Sequence, residues 1–210
     1  MKRILFGLLL VCLVTPAVAQ RMEEIFIKMP ADVIIQLEEA WRKDLVDLYK
    51  SGKTATLENT MQGKSSLLKL TDDYLLLQST ERSTVEMKLL PLVNNTHVIC
   101  MVTTVSAPVA DSRVLFFSTD WIPLPAERLY EPVTADWFWK ERADNSSAEY
   151  LEAKSQLDMS LIKYSLHAEN TSLTAEYTTP LYLDEASRGK IVSWLKEAPK
   201  QYEWKLGRFE

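Results

Sequence analysis

The chain offers little from which to build a metal or redox centre. Its 210 residues hold two cysteines and two histidines. Cys12 lies in the N-terminal leader, which leaves Cys100 alone and rules out an intrachain disulfide. Cys100 sits in the apolar run HVICMVTTV and reads as a small buried hydrophobe, not a reactive thiolate. His97 and His167 are far apart, and no HExxH or CxxC spacing occurs, which removes the usual zinc arrangements. A D-x-D-x-D-G calcium loop is also missing. Glycine is scarce at five residues, and Gly52, Gly63, Gly189 and Gly207 are isolated. Phosphate-cradling loops need clustered glycines ahead of a helix, and a serine hydrolase elbow needs G-x-S-x-G; neither is present. No cofactor or metal is expected.

Positive charge is in short supply as well. Lys2 and Arg3 belong to the leader, so 22 of the 24 basic residues remain against 29 acidic ones, a net −7. Such a chain lacks the basic stripe of a nucleic-acid binder and the polybasic surface that docks on anionic lipid. Long apolar runs are absent too. The leader MKRILFGLLLVCLVTPAVAQ has a short positive region, an apolar stretch over 4–14 and an A-x-A site at Ala17-Val18-Ala19. That pattern is a secretory signal peptide, residues 1–19, with the mature chain starting at Gln20. The stretch is well short of the roughly 20 residues that span a bilayer. Val11 before Cys12 does not suit a lipoprotein anchor, and no later run spans. The expectation is export, to the periplasm or beyond, with no transmembrane segment in the mature chain.

What is present is alternating pattern. Residues 31–50 place Val33, Leu37, Trp41, Leu45 and Leu48 on one helical face, with Pro30 suited to the first turn and Gly52 to the end. The period then changes to two. Residues 74–80, 84–91, 96–105 and 112–119 read as four strands with short connections, an antiparallel meander. In TVEMKLLP, Val85, Met87 and Leu89 take the apolar face, so Glu86 and Lys88 are expected on the wet one. Beyond Trp121 the prolines at 123, 125 and 132 break the sheet. Residues 134–140 and 147–157 look like short helices. Ile162, Tyr164, Leu166 and Ala168 alternate on a strand, as do Leu173, Ala175 and Tyr177. Asp184 can cap a helix to about Lys196, with Ile191, Val192 and Leu195 inward. Tyr202, Trp204 and Leu206 form a last strand. The fold class is α+β, with antiparallel sheets and flanking helices. The expected organisation is an N-terminal unit over 20–122 and a C-terminal unit over 123–210; one continuous sheet with helices on one side is the runner-up.

Two constellations stand out chemically. LTDDYLLLQSTERSTVEMKLLP brings Asp72, Asp73 and Glu86 close in sequence. Asp72 and Asp73 precede a strand, where aspartate favours a turn by bonding nearby amides. A general acid and base pair would instead need one carboxyl with a raised pKa in a cleft. The second is aromatic: Trp121, Trp137, Phe138 and Trp139, with Tyr130 nearby. Indoles left exposed there could stack on a glycan or anchor a protein, and packing of a short helix onto the sheet is the competing account. Trp137 and Trp139 are two positions apart, about 200° around a helix, so at least one of the three indoles is expected at the surface. The sequons at Asn94, Asn145 and Asn170 reflect turn composition.

QGKSSLLKLTDDYLLLQSTERSTVEMKLLP, FFSTDWIPLP and MPADVIIQLEEAWRKDLVDLYKSG resemble a family of exported Bacteroidales proteins with a domain-of-unknown-function label (DUF3256-like). The resemblance covers most of the mature chain. It departs at Gln62, where a second glycine would be expected before Gly63. It implies an α+β fold and an envelope location, and it implies no activity and no functional residues. The expected function is a non-catalytic binding or scaffolding module whose partner is an envelope protein or glycan, with Trp121, Trp137 and Trp139 as contact candidates. The rival is a carboxylate-based hydrolase of a glycan or envelope polymer.

Overall fold

The computed structural model describes residues 21–141 and 145–210; the leader and its cleavage site lie outside them. Seven strands run in sequence order through the first sheet: β1 (Thr56–Glu58), β2 (Lys64–Leu70), β3 (Tyr74–Thr80), β4 (Ser83–Pro91), β5 (His97–Ser106), β6 (Ala110–Ser118) and β7 (Pro123–Leu124). Every neighbouring pair is antiparallel. A second antiparallel sheet holds β8 (Ile162–Leu166), β9 (Ser172–Tyr177), β10 (Lys200–Lys205) and β11 (Arg208–Phe209), in the order β11-β10-β9-β8. The class is α+β with meander sheets.

Three layers result. On one face of the first sheet Leu75, Leu77, Val85, Met87, Leu89, Ile99 and Met101 pack against α1 (Met22–Ile27) and α2 (Glu39–Lys50). On the other face Leu90, Val98, Cys100, Val102 and Phe116 meet Ile162, Tyr164, Leu166, Leu173, Tyr202 and Trp204 of the second sheet. The nearly unbroken apolar run of β5 follows from burial on both sides. A third cluster joins Trp139 to α3 (Ala148–Ser155) and α4 (Glu185–Val192) through Tyr150 and Ile191.

The expected helix over 31–50 begins only at Glu39. Arg42, 1 % exposed, explains the delay: its guanidinium donates to the carbonyls of Ile27, Met29 and Leu37, at 3.1 Å for Ile27 and 2.6 Å for Leu37. Those carbonyls turn inward to the cation, so they are not free to accept along a helical ladder. α4 is likewise shorter than expected. It ends at Val192, which is exposed, while Ile191 and Leu195 are buried. Asp184 caps it as expected, accepting from Ser187 N–H at 3.0 Å. Leu206 leaves the strand alternation for a turn with φ +50°, next to Gly207 at +89°, and is 90 % exposed.

The expected wet face of β4 is a correction. Glu86 and Lys88 are 9 % and 2 % exposed, because the second sheet covers them. β8 lies at the edge of its own sheet, and its outward N–H groups find side chains in place of a strand. Ile162 N–H donates to Asp111 Oδ1 (3.1 Å), Tyr164 N–H to Ser112 Oγ (3.0 Å) and Leu166 N–H to Glu86 Oε2 (2.8 Å). Lys88 Nζ reaches across to Ala168 O at 2.8 Å and pairs with Asp73 at 2.7 Å. Period-two alternation assigns a side chain to a face but cannot say what covers that face.

Candidate functional site

The acids near β3 and β4 do not converge on a cleft. Asp72 stands in an exposed turn and pairs with Arg21 at 2.7 Å. Asp73 accepts from Thr71 Oγ1 at 3.0 Å and is held by Lys88. Glu86 is buried between the sheets, and burial pushes its carboxyl pKa up. The Leu166 N–H, the Tyr74 hydroxyl and the positive charge of Lys163 oppose that rise. A raised carboxyl is what a general acid requires, yet Glu86 accepts from two internal donors, Leu166 N–H and Tyr74 Oη at 3.2 Å. It lines none of the grooves at the surface described below. Its chemistry is that of a buried connector.

Of the three candidate indoles, two are core. Trp121 is 7 % exposed, packs on Phe117 at 5.3 Å, and donates Nε1–H to Ile25 O at 3.1 Å, which ties α1 to the first sheet. Trp139 is 6 % exposed and packs on Tyr150 at 5.3 Å. Only Trp137 is partly exposed. The helical-wheel argument fails because Ala135–Phe138 is a single 3-10 turn and Trp139 leaves it extended, at φ −79° and ψ 137°. Trp139 then bridges to Leu195, while Lys196 N–H donates to Phe138 O at 2.7 Å.

That bridge builds the wall of a groove. Phe138, Tyr177, Pro180, Leu181, Val192 and Leu195 line a cavity of about 470 Å³, with Arg188, Lys196 and the carboxylates Glu176 and Glu197 at its margin. Its floor is aromatic. Phe138 stacks on Tyr177 at 5.2 Å and 13°, and Trp137 meets Phe138 edge-on at 5.0 Å. The Lys196 ammonium lies 4.1 Å above the Trp137 ring, close enough for a cation–π attraction. Leu181 and Val192 are 56 % and 47 % exposed, and Tyr182 is exposed beside them, so an apolar rim continues the floor to the surface.

The charges differ in how they are held. Glu176 pairs with Lys163 at 3.4 Å on the outer face of the second sheet, and Glu197 stands in water. Arg188 is half-buried and makes no ion pair or side-chain hydrogen bond with another described residue. Among the described residues no group of three or more His, Cys, Asp and Glu is placed to hold a metal. A smaller groove is lined by Trp137 together with Glu131, Lys200, Tyr202 and Arg208.

The sequence pattern did not mark the groove, and Trp137 is not among the residues that line it. Leu181, Tyr182 and Val192 follow one another around Asp184 without a motif, and only the fold of 179–199 over Phe138 assembles them. A pointer was available in PLYLDE, where apolar residues crowd a helix start.

The sequence profile of the family described as "Protein of unknown function (DUF3256)" matches residues 14–209. Among solved structures, the chain is similar to one titled "Structure of a domain of an uncharacterized protein from Porphyromonas gingivalis W83". The identity is 31 % and the TM-score 0.81, over 90 % of this chain and 98 % of that one. No curated protein matches.

Proposed function

We propose that this chain, which belongs to the DUF3256 family of proteins of unknown function, is a non-catalytic exported binding module of the bacterial envelope. The observation that carries the binding reading is the groove between β9, α4 and the 195–199 segment, with its aromatic floor and exposed apolar rim. Apolar pockets with a few placed polar groups are what small ligands and partner side chains enter. Trp137 stands behind that site, edge-on to Phe138 and beneath the Lys196 ammonium; Trp121 and Trp139 hold the scaffold. The leader pattern over 1–19 supports export. The hydrolase alternative has less support, because Glu176 and Glu197 are both solvent-exposed and Glu176 is paired with Lys163.

The test uses anilinonaphthalene sulfonate, an apolar aromatic anion. It should bind the mature protein with a blue-shifted emission, and Leu181→Arg together with Val192→Glu should weaken that binding severalfold while the fold is retained. Both positions are exposed, so the variants should stay folded. Equal dye binding by wild type and the double variant would sink the reading. N-terminal sequencing from the native host should begin at Gln20; a retained leader would remove the export claim.

A further inference from the structure

The groove opens where the second sheet forks. β9 and β10 are in register from Glu203↔Ser172 to Lys200↔Ala175, and β10 begins at Lys200. β9 continues two residues further, to Tyr177, paired only with β8 (Ile162↔Tyr177). The same register places position 198 opposite Tyr177, but the chain there is Ala198-Pro199, which diverges to form the groove wall.

Backbone direction decides which groups are left over. Thr178 N–H donates to Leu161 O at 3.0 Å, towards β8. Successive residues of a strand turn their backbone groups to opposite sides, so Tyr177 N–H and C=O face the β10 side, into the fork. Among the described residues no ladder partner stands opposite them. This open position contrasts with the other edges. β1, β7 and β11 are two or three residues long, and the outward amides of β8 are taken by Asp111, Ser112 and Glu86. At the fork a donor and an acceptor adjoin an aromatic floor, and Arg188, with no partner among the described residues, lines the same cavity.

We infer that the groove takes an extended peptide segment carrying an acidic residue close to an apolar one, added as a short strand beside Tyr177. The inference rests on the binding reading above and names its ligand. One peptide residue exchanges both hydrogen bonds with Tyr177, as in strand addition to an open ladder. The apolar side chain lies on Phe138 and Tyr177 between Leu181 and Val192. The acidic group meets the Arg188 guanidinium, whose fork of donors suits a carboxylate. Glu176 does not repel it, being neutralised by Lys163, and Glu197 is screened by water.

A random twelve-residue display library panned on the mature protein tests this. Enriched peptides should share an Asp or Glu within a few positions of an aromatic or branched aliphatic residue. Synthetic copies should lose about tenfold in affinity or more to the Arg188→Glu variant, and a similar factor on N-methylation of one backbone amide. Failure to enrich any peptide, or binding indifferent to both changes, overturns the peptide inference. The dye experiment separates the two claims. Dye seated in the groove without peptide leaves the binding reading standing, and dye indifferent to the groove variants removes both.

Discussion

Replacing Glu86 by alanine should cost this protein at least about 2 kcal/mol. The carboxylate accepts from Leu166 N–H at 2.8 Å and Tyr74 Oη at 3.2 Å in a place 9 % exposed. Each buried donor left without an acceptor costs about 1–3 kcal/mol. Two orphans therefore outweigh the relief from removing a buried charge, which the two donors and Lys163 already offset in part. For a chain of this size a loss of about 2 kcal/mol lowers Tm by about 4–8 °C. Glu86→Gln separates charge from hydrogen bonding, since its amide oxygen still accepts from both donors. Because burial raises the folded pKa of Glu86 above its unfolded value, the group favours folding below the unfolded pKa. That contribution is lost as pH rises through the folded pKa. The wild type should therefore lose stability relative to Glu86→Gln as pH climbs from about 4, and the gap should level off once the folded carboxyl is ionised. Taking the difference between the two proteins cancels carboxylates with lowered pKa values, such as Asp184, Glu169 and Glu203. Urea titrations at several pH values, with m unchanged, read both effects. A loss below about 0.5 kcal/mol for Glu86→Ala, the figure for a wet surface position, would refute the buried seam.

Arg42→Met should destabilise by about 3 kcal/mol, because the carbonyls of Ile27, Met29 and Leu37 lose their shared donor; hydrogen exchange should show 28–38 opening first, and uniform loosening would argue against this role. Gln62→Gly should raise stability by about 0.5 kcal/mol, since Gln62 holds φ +61° at the cost of left-handed strain that exceeds glycine's added unfolded-state entropy. A drop in Tm for that variant would show the strain to be absent.

The strands were legible because their alternation is local. Ile162, Tyr164 and Leu166 are buried where period two places them, and so are Leu173, Ala175, Tyr202 and Trp204. Gln62, where the family resemblance led one to expect glycine, holds the positive φ that glycine would favour. Glu86 and Lys88 were assigned to the correct side of β4 but to the wrong surroundings, since the strand that covers them lies some eighty residues away. Strands β1 and β2 escaped notice because KSSLLKL interrupts its alternation at the bulge between Leu67 and Lys69. The groove was illegible for the same reason as the seam. Its floor and rim come from 138, 177–181 and 188–199, joined only by tertiary packing.

The three side-chain acceptors beneath β8 act as a key. Apolar faces alone would let one sheet slide over the other by a residue pair, because Ile162, Tyr164 and Leu166 repeat at the spacing of the slide. Asp111, Ser112 and Glu86 meet donors at the same two-residue spacing, yet each differs in length and charge. A shift of one pair would put the Leu166 amide beyond the last acceptor and strand Glu86 opposite the wrong neighbour. The polar contacts thus select a single crossing of the two sheets, at some expense in stability. β9 is laddered to β8 with Ile162 opposite Tyr177, so Tyr177 inherits that fixed position, and the fork it borders is set by a lock that begins one strand away.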